Sequence, residues 1–142
     1  MTTINLTTKI NASKQIVFDA SRNIDIHQQS ASPSKEKAIA GVTSGLINLN
    51  ETVTWRGNHF GFYLTHKSRI TAMNLYYYFV DEMEEGHFKS FKQLVFYNKI
   101  NNIFGQQKIR LGSQDRRIWK MRQEKLSPMY TTKLSDIITV KV

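Results

Sequence analysis

An α+β fold, a curved antiparallel sheet carrying two short helices, is predicted by three features of the sequence. Tyr76 to Tyr97 holds two runs of aromatic, β-branched and polar residues around Glu84-Glu85-Gly86-His87, the pattern of a β-hairpin. Alternating apolar and polar positions recur at 3–10, 51–56 and 62–73, each a strand signal. The helical spacing that precedes these later strands follows the first one, so helices gather on one face of an antiparallel sheet.

In chain order, Ile4, Leu6, Thr8 and Ile10 share one side of a first, half-buried strand, opposite Thr3, Asn5, Thr7 and Lys9. Asn11 or Ser13 can cap a helix whose apolar stripe is Ile16, Val17 and Ala20. Asn23 and Asp25 end it and cap a second short helix through Ile26, His27 and Gln28. Ser30 to Lys37 is a polar loop with a proline, and Ala38 to Asn50 reads as a strand or loop entering the sheet. Glu51 to Arg56 is a strand with Glu51, Val53 and Trp55 on one face, and Gly57-Asn58-His59 supplies a turn. The long strand Phe62 to Met73 places Phe62, Leu64, His66, Ser68, Ile70 and Ala72 inside, and Tyr63, Thr65, Lys67, Arg69 and Thr71 outside. A hairpin turn centred on Glu85-Gly86 pairs Met83 with Phe88 and Glu82 with Lys89. Phe79, Asp81 and Met83 then share a face with Lys92 and Leu94, while Tyr78 and Val80 face with Phe91, Gln93, Val95 and Tyr97. Both faces are then apolar and each needs a cover.

The chain has 142 residues, enough for one domain with its own core, and no cysteine, so disulfides and thiolate chemistry are excluded and a cytoplasmic setting is expected. No apolar run reaches membrane-spanning length, and MTTINLTTKI has neither the basic nor the apolar part of a signal peptide. The formal charge of +9 is unevenly spread: residues 1–98 hold 10 Lys/Arg and 8 Asp/Glu, whereas residues 99–142 hold 10 Lys/Arg and 3 Asp/Glu. Basicity therefore belongs to the tail.

Several stretches resemble the SRPBCC superfamily, the helix-grip fold of START domains, polyketide cyclases and birch-pollen-allergen relatives, and within it a bacterial cell-division-inhibitor-like branch. They are Ile10-Asn11-Ala12 with Val17-Phe18-Asp19, Arg22 to His27, Gly41 to Ile47, Glu51 to Trp55, His59-Phe60-Gly61, Ile70-Thr71, Phe79 to Met83, and Gly86 to Lys92. The resemblance implies a helix-grip-like sheet around a cavity for a small hydrophobic molecule. Two departures stand out. Relatives continue after Phe91-Lys92 with alternate histidines, where this chain has Gln93 and Val95, and the last strands and gripping C-terminal helix are not recognisable after Phe104. Residues 1–104 are accordingly expected to form the SRPBCC-like domain and 105–142 a basic, divergent segment in which the grip helix is short or missing. Within it Asp115 to Leu126 can form a helix and Asp136 to Val142 a strand. A divergent replacement or a change of coding frame near residue 104 would each account for the departure.

No catalytic motif appears, and the four histidines lack metal-binding spacing, so no metal, cofactor or catalytic set is expected. The expected ligand-binding residues are Glu51, Trp55, Phe62, His66, Tyr78, Phe91, Gln93 and Tyr97. The same aromatics also serve as core, which is the commoner use of rings at strand spacing. Glu51, His66 and Asp81 could converge as an acid/base set, but strand-end hydrogen bonding explains the carboxylates better, and Asp81 with Lys92 would form a diagonal ion pair. Glu82 with Glu84 and Glu85 reads as a solvated turn. The expected function is binding of a small hydrophobic ligand. A homodimerising or protein-interaction domain using an aromatic sheet face is one alternative, and a cyclase- or dehydratase-like enzyme another. The tail's arginines and lysines around Trp119 resemble a phosphate-backbone contact only weakly, so nucleic acid is not an expected partner.

Overall fold

The computed structural model describes residues 2–10, 12–31, 34–59, 61–86, 90–97 and 102–110. Their elements are β1 (Thr2–Lys9), α1 (Lys14–Ser21), α2 (Ile24–Ser30), β2 (Lys37–Gly41), β3 (Thr52–His59), β4 (Phe62–Asn74), β5 (Tyr78–Glu85), β6 (Ser90–Tyr97) and β7 (Asn102–Arg110). The strands make one curved antiparallel sheet in the order β1-β7-β6-β5-β4-β3-β2, an α+β arrangement as the sequence predicts. Register shifts between Ala38 and Ala40, Lys67 and Ser68, and Ile70 and Ala72 each leave an extra residue on one strand, which bends it. The helix expected at 115–126 and the strand expected at 136–142 lie outside the described residues.

The helices form where the caps were expected. Ser13 accepts from the Ile16 amide, and Asn23 Oδ1 accepts from Asp25 N (2.9 Å) and Ile26 N (3.1 Å). The buried face of α1 differs from expectation: Ile16 is 48% exposed, while Phe18 is fully buried beside Val17 and Ala20. The Phe18 ring meets Phe79 edge-on at 5.9 Å and Tyr76 at 5.5 Å, so α1 lies on the face of β5 that carries Phe79. Tyr76 is not part of the strand. It sits in the turn before β5 at φ 64°, a left-handed conformation costly for a bulky residue and offset here by its contact with Phe18.

A polar clasp holds the helices to the loop between β2 and β3. Arg22 reaches Ile47 O (3.2 Å) and Asn48 Oδ1 (2.8 Å) while pairing with Asp19 (2.8 Å). Ile24 N donates to Gly45 O (2.8 Å), Ile47 N to Arg22 O (3.1 Å), and Gly45 N to Asp25 Oδ2 (2.8 Å). Gly41 enters this loop at φ 73°, and a Cβ there would run into the Thr52 carbonyl oxygen.

The hairpin register is the main correction. Glu82 pairs with Lys92 and Asp81 with Gln93, three residues further along β6 than a tight turn at Glu85-Gly86 would give. The cause is that the end of β5 continues its ladder with β4, through Ser68–Met83 and Lys67–Glu85, beyond the last β6 pair. An odd shift exchanges faces. Phe79, Asp81 and Met83 thus share the helix-covered inner face with Phe91, Gln93 and Val95, whereas Tyr78, Val80 and Glu82 face outward with Lys92 and Leu94. The expected Asp81–Lys92 pair does not form, because Lys92 pairs with Glu82 directly opposite. Nor is the outer face wholly apolar. Arg69 pairs with Glu84, and Lys67 Nζ lies 3.1 Å from the same carboxylate, so Arg69 and then Lys67 hold Glu84 below the usual carboxylate range. The outer side of β4 is wet, as its alternation predicts, and the bulge after Ile70 brings Met73 rather than Ala72 to the core.

Three substitutions test this packing. Phe18→Ala is expected to cost about 3–5 kcal/mol in urea unfolding, against less than about 1 kcal/mol for Ile16→Ala. Arg22→Ala, which leaves the Ile47 carbonyl without this donor, is expected to cost roughly 2–3 kcal/mol by the same measurement.

Candidate functional site

The inner face divides into a sealed part and an open part. Val53, Trp55, Ser68, Ile70, Phe79 and Val95 are buried, with α1 against Phe79 and α2 bringing His27 to Trp55 at 4.3 Å between ring centroids. Further along the same face Leu64, His66, Met83, Phe91 and Gln93 are half-buried, forming an apolar strip with polar groups at its margin. Register places them together: Leu64 and His66 lie on the Trp55 side of β4, Met83 pairs with Ser68, and Gln93 with Asp81.

Asp81 stands where the two parts meet. It occupies an inward register position between Phe79 and Met83, opposite Ile70 on β4 and Gln93 on β6. Its Oδ1 is buried and has no hydrogen-bond partner among the described residues. Burial pushes the carboxyl up from 3.8 to about 6, while hydrogen bonding to Ser68 and the charge of His27 draw it back. On the far side of Trp55, His27 Nε2 lies 3.1 Å from Oε2 of Glu36, a buried carboxylate just before β2.

The expected site residues fall into separate places. Trp55 is only 4% exposed and packs within the core cluster. Phe62 is 72% exposed at the β3–β4 tip, away from the helices. Tyr78 lies on the outer face, the side of the sheet away from Trp55. His66, Phe91 and Gln93 do share the half-buried inner strip. Tyr97 pairs through its backbone with Ile103, and its side chain lies outside the described residues. Glu51 is in the loop: its Oε2 accepts from Asn48 N (2.7 Å) and Asn48 Nδ2 (3.2 Å). Glu51, His66 and Asp81 therefore do not converge. His66 is four residues from Ile70, the partner of Asp81, or about 13 Å along β4. It lines a separate open pocket of about 350 Å³ with Thr54, Thr65, Lys67, Glu85 and Gly86.

Ser68, His27 and Glu36 were not singled out by the sequence reasoning. The available signal was Asp81 itself, a carboxylate two residues from Phe79 and two from Met83 on a strand face. Chemically the group can accept a hydrogen bond or pair with a cation. Among the described residues no set of three His, Asp or Glu is grouped to hold a metal, and no helix is long and apolar enough to cross a membrane.

The fold is SRPBCC-like, as several solved structures that superpose on it show. Ginseng major latex-like protein 151 from Panax ginseng superposes with a TM-score of 0.68 at 13% identity, covering 99% of this chain and 97% of that one. TTHA0849 from Thermus thermophilus gives 0.72 at 9%, covering 99% of both, and CV1439 from Chromobacterium violaceum 0.70 at 9%, covering 96% of both. A family model described as a domain of unknown function, DUF4113, matches residues 96–140. No curated protein matches the sequence.

Asp81 also makes a stability prediction. A carboxyl raised from 3.8 to about 6 on folding binds its proton more tightly when folded. Its contribution is fully present below the unfolded value and is lost as pH rises through about 6. The displacement corresponds to about 3 kcal/mol at most. Asp81→Asn is expected to unfold at higher urea than the parent at pH 8 and to flatten the slope of stability between about pH 4 and 7, as read by chemical denaturation across that range.

Proposed function

We propose that the protein binds a small, largely hydrophobic molecule on the inner face of its curved sheet, alongside the helices. The observation that carries this reading is the half-buried strip of Leu64, Met83 and Phe91 beside a buried carboxyl oxygen that no group among the described residues satisfies. Buried polar atoms in folded proteins are nearly always paired, so a bare one beside an incompletely covered apolar surface suits an incoming ligand. The SRPBCC-like fold supports the same reading, and the cell-division-inhibitor-like branch is the one the motif order favours. Within this reading residues 1–104 supply most of the ligand-binding unit, β7 carries its sheet on to Arg110, and the basic segment follows. Catalysis of the cyclase or dehydratase kind is not favoured, because Glu51 and His66 stand apart from Asp81.

A second reading, self-association through exposed rings, is favoured by Phe62 (72% exposed), Tyr63 (60%) and Tyr77 (58%). Native mass spectrometry of the full chain separates the two. Ligand binding predicts a retained adduct or uptake of a hydrophobic dye, reduced about tenfold or more in Phe91→Asp by loss of apolar contact and added charge. A monomer that takes up neither would end the ligand-binding reading, and a concentration-dependent dimer without adducts would favour the second.

A further inference from the structure

We infer that Asp81 is the recognition group for the ammonium of an apolar amine lying on the Leu64–Met83–Phe91 strip, an inference that rests on the ligand-binding reading above. The groups around the carboxyl come from each neighbouring element. Ser68 of β4 hydrogen-bonds it, Gln93 of β6 stands opposite, His27 of α2 acts on it through its charge, and Glu82 adjoins it on β5. Glu36, on the far side of Trp55, is taken up by His27. Among the described residues no lysine or arginine pairs with Asp81; the nearby bases are spent on the outer face, Lys92 on Glu82 and Arg69 on Glu84.

The ligand chemistry follows from a carboxylate that no lysine or arginine among the described residues neutralises. A neutral hydroxyl would give Oδ1 its hydrogen bond but leave a carboxylate charge in apolar surroundings. An ammonium supplies the hydrogen bond and the opposite charge together, and charge-assisted bonds of this kind are about twice as strong as neutral ones. A carboxylate ligand would be repelled by Asp81. The apolar remainder of the amine would cover Leu64, Met83 and Phe91.

The test compares three probes of nearly equal size by calorimetric titration of the full chain: 1-naphthylmethylamine, 1-naphthylmethanol and 1-naphthoic acid. At pH 8 the amine is expected to bind about tenfold tighter than the alcohol, with the acid weakest. Near pH 4.5, where Asp81 is protonated and the amine still charged, that preference should shrink to roughly threefold or less. Asp81→Asn should abolish that preference at pH 8. The pH comparison on the unaltered protein gives an answer even where the variant fails to fold. Equal binding of amine and alcohol at pH 8 overturns this inference and leaves the ligand-binding reading standing. Absence of binding by all three probes overturns both.

Discussion

The architecture depends on the clasp between the end of α1, the start of α2 and the loop before β3. Arg22, Asn23 and Asp25 satisfy three kinds of group at once: loop carbonyls, helix amides and the Gly45 amide. Two helices of eight and seven residues are too short to persist alone. Their stability must come from packing, and packing needs them held at a fixed height over the sheet. The clasp provides that, and it is why Phe18 meets Phe79 while His27 meets Trp55. A fork-shaped guanidinium suits the task because one side chain can serve several acceptors lying in different directions.

What the sequence made legible follows from what its patterns encode. Alternation along Phe62 to Ile70 identified the inner and outer sides of β4, and Ser13 and Asn23 marked the helix starts, because each is a local signal. The hairpin faces were misassigned because register depends on which strand β5 pairs with at its end, and that competition with β4 is non-local. Ile16 was wrongly counted into the buried stripe since helix phase over so few residues is set by the partner surface. The outer charge ladder was missed for the same reason: Glu82 and Lys92 become neighbours only in the true register. Of the site, His66, Phe91 and Gln93 were placed on the right surface, whereas the Ser68–Asp81 contact and the His27–Glu36 pair join separate elements and leave no spacing to read.

Asp81 combines two costs that a purely structural residue would not retain. It removes a carboxylate from water and leaves one oxygen without a partner among the described residues, against the general tendency of interiors to satisfy every polar atom. Asparagine or an apolar residue would fill the same volume with less penalty. Burial outweighs the opposing pull of Ser68 and His27, so the carboxyl is pushed up to about 6 in a place where charge is expensive. Such sites tend to be functional rather than architectural.

The position of β7 has a consequence for how the molecule is made. Although β1 is the first strand in the chain, it joins the sheet only through β7, whose last residue is Arg110. During synthesis the opening segment therefore waits, unpartnered, while β2 to β6 assemble behind it. Until the closing strand leaves the ribosome, β6 keeps an open row of amides and carbonyls that can recruit a second nascent chain. A polypeptide interrupted before Asn102 would keep that hazard permanently, so the yield of folded protein hinges on the late arrival of one nine-residue strand.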